Sequence, residues 1–203
     1  MSYVVSVCGG SGSGKSTFTG RLLEILGEDA AFIAHDDYYK HTPGMSPEQR
    51  AAYNFDVPAA LDTHLLVEHV AQLRAGRPAQ VPIYDFCTQT RCEQARTVEP
   101  VPVVVVEGIL VMADDELMEQ VDLSIFIDVD EPTRLERRLR RDCDERGWSL
   151  ENAQRNYEQI VRPAHLLYVE PGRSKADFVL NDALDSAALE VLAAGIRAAA
   201  GRG

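Results

Sequence analysis

A turn of Gly9-Gly10-Ser11-Gly12-Ser13-Gly14-Lys15-Ser16 stands between the apolar run Tyr3–Cys8 and a stretch with helical periodicity, and it narrows what the chain can fold into. The spacing G-x-x-x-x-G-K-[ST] needs glycines so that the backbone can curl with its N–H groups inward, a lysine to reach phosphate, and a hydroxyl for a divalent cation. Gly9 and Gly14 frame the turn, and Gly10, Ser11, Gly12 and Ser13 line it. Lys15 is then the phosphate lysine, Ser16 the metal hydroxyl, and Thr17 continues the loop into a helix whose positive dipole end adds to the same anion site. A flexible Gly/Ser linker would not sit between a β-branched strand and the amphipathic stretch carrying Leu22, Leu23, Ile25 and Leu26.

With 203 residues, 45% of them apolar, the chain is expected to be one domain, 1–203, able to bury a core without metal or disulfide staples. A formal net charge of -12 argues against nucleic acid as a partner, because binding to a phosphate backbone needs a basic face. The longest aliphatic run, Val101 to Val106, contains Pro102 and is too short to span a bilayer, and no signal-like segment is visible, so the expected location is the cytoplasm, with no membrane partner. Cysteines 8, 87, 92 and 143 form no C-x-x-C pair and are expected to be free thiols.

Taken in order, residues 3–8 read as a strand, 15–27 as a helix ending at Gly27, and Ala31–Ala34 as a second strand running into His35-Asp36-Asp37-Tyr38-Tyr39. Ligands of open α/β sheets gather outside the carboxyl ends of strands, so Asp36 is aimed at the phosphate site, while Asp37 reads as the more solvated of the pair. Residues 40–58 form a long Pro- and Gly-containing excursion of the kind reserved for binding loops, closed by Asn54-Phe55-Asp56-Val57-Pro58. A helix capped by Asp62 or Thr63 stops at Gly76, and residues of about 80–99 read as a small β-hairpin outside the main sheet, its second strand at Thr97-Val98-Glu99. Val103–Val106 and Leu123–Ile127 are buried strands ending on Glu107 and Asp128, and Ala176–Leu180 is the last strand, followed by a helix anchored near Asp185. The five strands alternate with helices, which demands an α/β fold: a parallel five-stranded sheet covered on both faces.

After Pro132 comes the one basic concentration of an acidic chain, Arg134, Arg137, Arg138, Arg140 and Arg141, then Arg146. Leu135 and Leu139 offer only a narrow docking stripe, which suits a lid over about 131–148, and Arg134, Arg138 and Arg141 share a face that can close over a transferring phosphoryl group.

The ordered set made by the glycine turn, Asp-Asp-Tyr-Tyr, Asn-Phe-Asp-x-Pro, Pro-x-Tyr-Asp-Phe, Glu-Gly-Ile-Leu and Arg-Asp-x-x-Glu-Arg-Gly resembles the uridine-cytidine kinases among the P-loop kinases, over nearly the whole chain. The resemblance implies phosphoryl transfer from ATP or GTP, with Mg2+, to the 5'-hydroxyl of a pyrimidine nucleoside, and a homo-oligomer, often a tetramer. By the same resemblance Asp36 is the general base, Asp56 and Arg141 touch the ribose, Arg138 is a phosphate-binding lid arginine, and Ser16 with Glu107 forms the Mg2+ site. Tyr84 would line the base pocket, walled further by Tyr39 and Phe55. The chain departs from the pattern at Gln89, where a histidine is usual, at Trp148 in place of an arginine, and at Asn156 in place of a glutamine, so the acceptor base stays open. Two rival readings remain: a related kinase acting on another small alcohol, and a nucleotide-binding switch without turnover. No Asn-Lys-x-Asp guanine motif is present, which disfavours a GTPase.

Overall fold

The computed structural model describes residues 1–40, 45, 49, 53–86, 88, 90–181 and 185–201. Gln89, Cys87 and most of the 40–58 excursion lie outside the described residues. Its centre is a five-stranded sheet built from β1 (Tyr3–Gly9), β2 (Ala30–Ala34), β5 (Val103–Glu107), β6 (Leu123–Ile127) and β7 (Phe178–Leu180), in the order β2-β5-β1-β6-β7. Every pairing in it is parallel. The remaining strands, β3 (Ala79–Asp85) and β4 (Thr90–Val98), form a separate antiparallel hairpin.

The strand residues explain the layering. Val4 and Cys8 of β1 face one side and Val5 and Val7 the other, and β5 alternates likewise through four fully buried valines. β-Branched residues pack well on a pleated surface, so this run is at home only where both faces are covered. On one face lie α1 (Lys15–Leu26) and the closing helix α6 (Ser186–Ala200), whose Phe18, Leu22, Leu26, Leu189, Leu192 and Ile196 meet Val5, Val105 and Ile125. On the other lie α2 (Thr63–Arg74), α3 (Asp115–Met118) and the inner side of the hairpin, with Leu66, Val70, Leu73, Val81 and Leu117 against Val4, Val104 and Phe126. Asp185 caps α6 by accepting from the amides of Ala187 and Ala188 at 2.9 and 3.1 Å, as its position predicts.

Two differences from the sequence reading have physical reasons. The second hairpin strand begins at Thr90 rather than Thr97, because it is polar along most of its length and five of its nine residues are exposed, so the period-2 apolar signal is lost. Pro82 is accommodated by a register shift between Pro82 and Tyr84, where its missing N–H does no harm. The last sheet strand begins at Phe178 rather than Ala176, since the Asp177 carboxylate turns back to accept from the Ser124 amide at 2.8 Å and its hydroxyl at 2.7 Å, which fixes β7 beside β6.

The basic helix α4 (Glu131–Asp144) and α5 (Leu150–Asn156) follow β6. The chain continues from α5 through two π-helical segments, Tyr157–Val161 and His165–Val169, on either side of a turn that contains Pro163, to the 3-10 turn Glu170–Ser174. Proline removes one N–H donor and crowds the carbonyl four residues back, so widened turns around it are the expected relief. Among the described residues no helix is long and apolar enough to cross a membrane. Cys8, Cys92 and Cys143 are free thiols.

Leu22 is fully buried between α1, α6 and the sheet, about two turns along α1 from the glycine turn. Leu22→Ala is expected to cost about 3 kcal/mol and to lower Tm by about 6 to 12 °C with catalytic constants unchanged. A loss below about 1 kcal/mol in denaturant titration would contradict this two-layer packing.

Candidate active site

The glycine turn, Asp36 and Glu107 stand at the carboxyl ends of β1, β2 and β5, three neighbouring parallel strands. β1 is central, and the chain leaves it in both directions, first to β2 and β5 and later to β6 and β7, so the switch in strand order opens a crevice beside it. The glycine turn fills the carboxyl end of β1. Gly12 and Gly14 adopt positive φ of 84° and 88°, which glycine tolerates without strain. A side chain on Gly12 would run into the backbone carbonyl of Arg134, which cannot yield, and one on Gly10 would lie 2.5 Å from Arg134 Nη1 and 2.9 Å from His165 Cε1, so those side chains would have to move. Gly14 is the N-cap of α1 and no side chain caps its first turn, which leaves its opening N–H groups for an anion. Ser16 and Thr17 are exposed on that side and Ser13 is buried beneath it.

Glu107, at the end of β5, binds both remaining members of the motif. Its Oε2 accepts from Ser16 Oγ at 3.1 Å, and its Oε1 lies 3.6 Å from Lys15 Nζ. A hydroxyl and a carboxylate side by side, both oxygen donors, fit a hard cation such as Mg2+. Among the described residues no cluster of three or more histidine, cysteine or acidic side chains offers a metal site of its own.

Asp36 lies on a 3-10 turn, His35–Tyr38, which is held on all sides. His35 Nε2 is 3.1 Å from Thr63 Oγ1, and Tyr38 Oη is 2.8 Å from His69 Nδ1, so both residues flanking the acidic pair are tied to α2. From the hairpin, Arg91 donates to the Tyr38 carbonyl at 3.0 Å, and Arg96 donates to the Phe32 carbonyl at 2.9 Å while facing Asp37 at 3.7 Å. Burial pushes the Asp36 carboxyl up to about 6; Lys15 pulls it down, and Glu107, Asp56 and Asp37 push it further up. Burial likewise drives His35 down to about 3, so its ring is neutral and structural.

Beside Asp36 is an aromatic wall. The Tyr39 ring sits 5.5 Å from Phe55, edge to face, and 5.2 Å from Tyr84, which in turn lies 5.2 Å from the half-exposed Phe86. Burial raises the Tyr39 phenol well above its ordinary range, with Asp36 and Asp56 acting in the same direction, so these groups share one neighbourhood. The amide of Asp56 is fixed by Asn54 Oδ1 at 2.9 Å, an Asx turn that a sequence of Asn-Phe-Asp favours.

The basic helix corrects the sequence reading of how it docks. Its buried residues are Arg134, Arg138 and Asp142; Leu135 and Leu139 are only partly covered. The helix lies against the glycine turn by its charged face, because that turn offers carbonyls and hydroxyls rather than apolar surface. Arg137 donates to the Gly12 carbonyl at 3.4 Å, and Arg138 and Arg141 donate to Ser11 Oγ at 3.0 and 3.1 Å. Arg134 lies against Gly10 instead of Ser11, bonding the Val129 carbonyl at 2.9 Å, with its Nη2 3.1 Å from His165 Nε2, an atom that is also 3.2 Å from Glu170 Oε2. Asn156 Oδ1 lies 3.4 Å from Arg138 Nη2, which joins it to the arginine row at the phosphate loop. The amide of Trp148 closes the end of α4 by donating to the Asp142 carbonyl at 3.0 Å. Arg91, Arg96 and His165 carry no sequence expectation, and Asp142 enters only as the acid of Arg-Asp-x-x-Glu-Arg-Gly, though it continues the Arg134, Arg138 stripe at the same four-residue step.

A phosphate loop on the central strand, an acid at the end of the next one, and arginines laid across the loop define a phosphotransferase of the P-loop kinase class. The model of the phosphoribulokinase / uridine kinase family matches residues 4–187, and the chain belongs to that family. It is 43% identical over 177 residues to the uridine kinase of Chloroflexus aurantiacus, across 87% of this chain and 85% of that protein. The uridine kinase of Streptococcus thermophilus is 39% identical over 184 residues, covering 90% and 87%. Among solved structures, phosphoribulokinase from Rhodobacter spheroides shares the fold with a TM-score of 0.65 at 14% identity, over 91% of this chain and 73% of that one.

A carboxyl raised from 3.8 to about 6 lowers stability wherever it is ionised in the fold. The unfolded chain loses this proton first, so the cost appears as pH rises from about 4 to 6 and is complete above it. The full shift corresponds to about 3 kcal/mol; partial solvent access to the site reduces this to about 2 kcal/mol. Asp36→Asn should therefore be more stable than the native protein by about 2 kcal/mol at pH 8 and nearly equal to it at pH 4. Equal stability at both pH values, by denaturant titration, would show that the carboxyl is not desolvated.

Proposed function

We propose that the chain transfers the terminal phosphoryl group of ATP or GTP to the 5'-hydroxyl of uridine or a closely related pyrimidine nucleoside, giving the monophosphate for pyrimidine salvage. The observation that carries this reading is the position of Asp36: one tethered turn sets a carboxylate of raised proton affinity between the phosphate loop and the aromatic wall of Tyr39, Phe55 and Tyr84. A nucleotide switch needs the loop but has no use for a base poised near 6. A sugar phosphate gains little from an apolar wall, whereas a nucleobase stacks on one, which favours a nucleoside over another small alcohol. The name carried by the Chloroflexus and Streptococcus relatives supports uridine in particular.

In this reading the inward amides of the glycine turn and the start of α1 hold the donor phosphates, and Lys15 neutralises charge on the group in transit. Ser16 and Glu107 would hold Mg2+, which would neutralise negative charge on the donor phosphates. Asp36 takes the proton of the acceptor hydroxyl at one of its carboxylate oxygens, and Asp56 with Arg141 holds the ribose. Arg138, with Arg141 beside it at Ser11, offers guanidinium donors to the transferring group, as a cis-acting arginine must when no partner protein supplies one. Tyr84, Trp148 and Asn156 are assigned to the acceptor side together with Gln89. Asn156, bonded to Arg138, then reports on the hydroxyl end of the acceptor rather than its base.

A coupled assay for diphosphate release across uridine, cytidine, purine nucleosides and sugar phosphates tests the acceptor, and uridine is expected to give the highest or near-highest kcat/KM. Lys15→Ala should lower kcat by about a thousandfold with the fold intact; near-normal turnover would remove the phosphate loop from the mechanism. With uridine, kcat/KM should fall tenfold per pH unit below about 6, and Asp36→Asn should lose this limb along with at least about a hundredfold in kcat. If nucleoside affinity fell in step with rate in Asp36→Asn, Asp36 would be a clamp for the substrate and not its base.

A further inference from the structure

Helix α4 carries two pairs of opposite charge at the same four-residue spacing, and they have opposite surroundings. Arg140 and Asp144 sit 3.6 Å apart with side chains 83% and 66% exposed, so their attraction is screened by water and contributes little. Arg138 and Asp142 lie 3.2 Å apart with side chains 9% and 1% exposed. A carboxylate that deep is retained at a desolvation cost, and an apolar residue of similar size would often serve stability as well. Its geometry gives the reason for keeping it. Asp142 Oδ2 faces Arg138 Nε, and Oδ1 faces Arg141 Nε at 3.6 Å and Arg146 Nη1 at 3.0 Å. The same two guanidiniums of Arg138 and Arg141 place their Nη atoms on Ser11 Oγ of the phosphate loop.

We propose that Asp142 is a positioning residue for phosphoryl transfer: its buried carboxylate is the counter-charge beside the Nε edges of Arg138 and Arg141, an ion pairing rather than a hydrogen-bonded clamp, and it keeps their Nη ends turned to the phosphate loop. A guanidinium is a rigid planar fork, so fixing one edge fixes the direction of the other donors. The backbone at Asp142 is itself held, because its carbonyl accepts from the Trp148 amide. Without the carboxylate the two long side chains regain their rotamers and stay cationic; they still attract phosphate but no longer meet it in the geometry of transfer. Rate should therefore suffer far more than anion affinity, which a helix that had simply come loose would not produce. This inference rests on the phosphoryl-transfer reading above.

The test compares Asp142→Asn, which keeps shape and removes charge, with Asp142→Glu, which keeps charge and moves it by one methylene. Kinetics are measured with Mg-ATP and uridine, binding with inorganic tripolyphosphate by calorimetry, and folding by thermal melts. Asp142→Asn is expected to lose about thirtyfold or more in kcat while the tripolyphosphate Kd changes by less than about threefold or tightens, since three guanidiniums lose their shared counter-charge. Asp142→Glu is expected to lose about tenfold or more in kcat with near-native binding. Should the asparagine variant not fold, the glutamate variant decides by the same split. A kcat within about threefold of native in Asp142→Asn, a parallel loss of rate and affinity, or full recovery of kcat in Asp142→Glu would each overturn the proposal. If the native protein itself does not phosphorylate uridine, the acceptor reading has failed instead, and Asp142 is then judged from acceptor-free hydrolysis of ATP in the same variants.

Discussion

Main chain lies directly on main chain where Gly12 meets the carbonyl of Arg134, and this contact fixes the arrangement of everything around the crevice. The loop after β1 and the first turn of α4 come from opposite ends of a long stretch of sequence, and any side chain between them would hold them apart. Because none intervenes, the arginines of α4 are carried to the loop itself: Arg137 to a carbonyl, Arg138 and Arg141 to the Ser11 hydroxyl. On the other side Gly10 admits the His165 ring, so the 150–174 helical run is packed under the loop as well. A short run of missing β-carbons thus decides where three distant segments meet.

Charge is distributed in the same economical way. The chain is acidic overall, yet its basic side chains at the crevice are matched by specific carboxylates: Lys15 by Glu107, Arg96 by Asp37, Arg138 and Arg141 by Asp142. Asp36 is the exception, since burial is the largest influence on it and the nearby acids outnumber Lys15. The turn that bears it is held by two histidine contacts, two arginine contacts and the pairing of Tyr39 with Leu61, none of which involves the Asp36 carboxylate itself. Stability lost at one carboxyl is offset by the bonds of its neighbours, a common arrangement where a group must be held against its own preference.

Much of this could be read from the residues alone because the signals were local. Val103–Val106 had to be a strand covered on both sides, and the glycine turn had to follow a strand and open a helix. The five parallel strands and the separate hairpin followed from the alternation of such segments. The features that leave no local signal are long-range or inverted. The tethers of Arg91 and Arg96 join residues far apart in sequence through backbone carbonyls, which leave no mark in a pattern of side chains. The docking face of α4 is not legible in the sequence, because hydrophobic periodicity marks a buried stripe only where the surface opposite is apolar; here it is a polar loop, and Leu135 and Leu139 are left half covered. The strand Thr90–Val98 was shortened for a related reason, since it is polar along most of its length.

The two π-helical segments on either side of Pro163 carry a consequence of their own. Each wide turn holds one residue more than an α-helical turn would, and one residue corresponds to about 100° of rotation around the axis. The directions of Tyr157 and of His165 are therefore offset from one another by counting, independent of what the side chains touch. A relative that had lost a single amino acid between 157 and 169 would keep a perfectly good helix there and yet present a different residue to the floor of the loop. Segment length, as much as chemical identity, is what this stretch has to preserve.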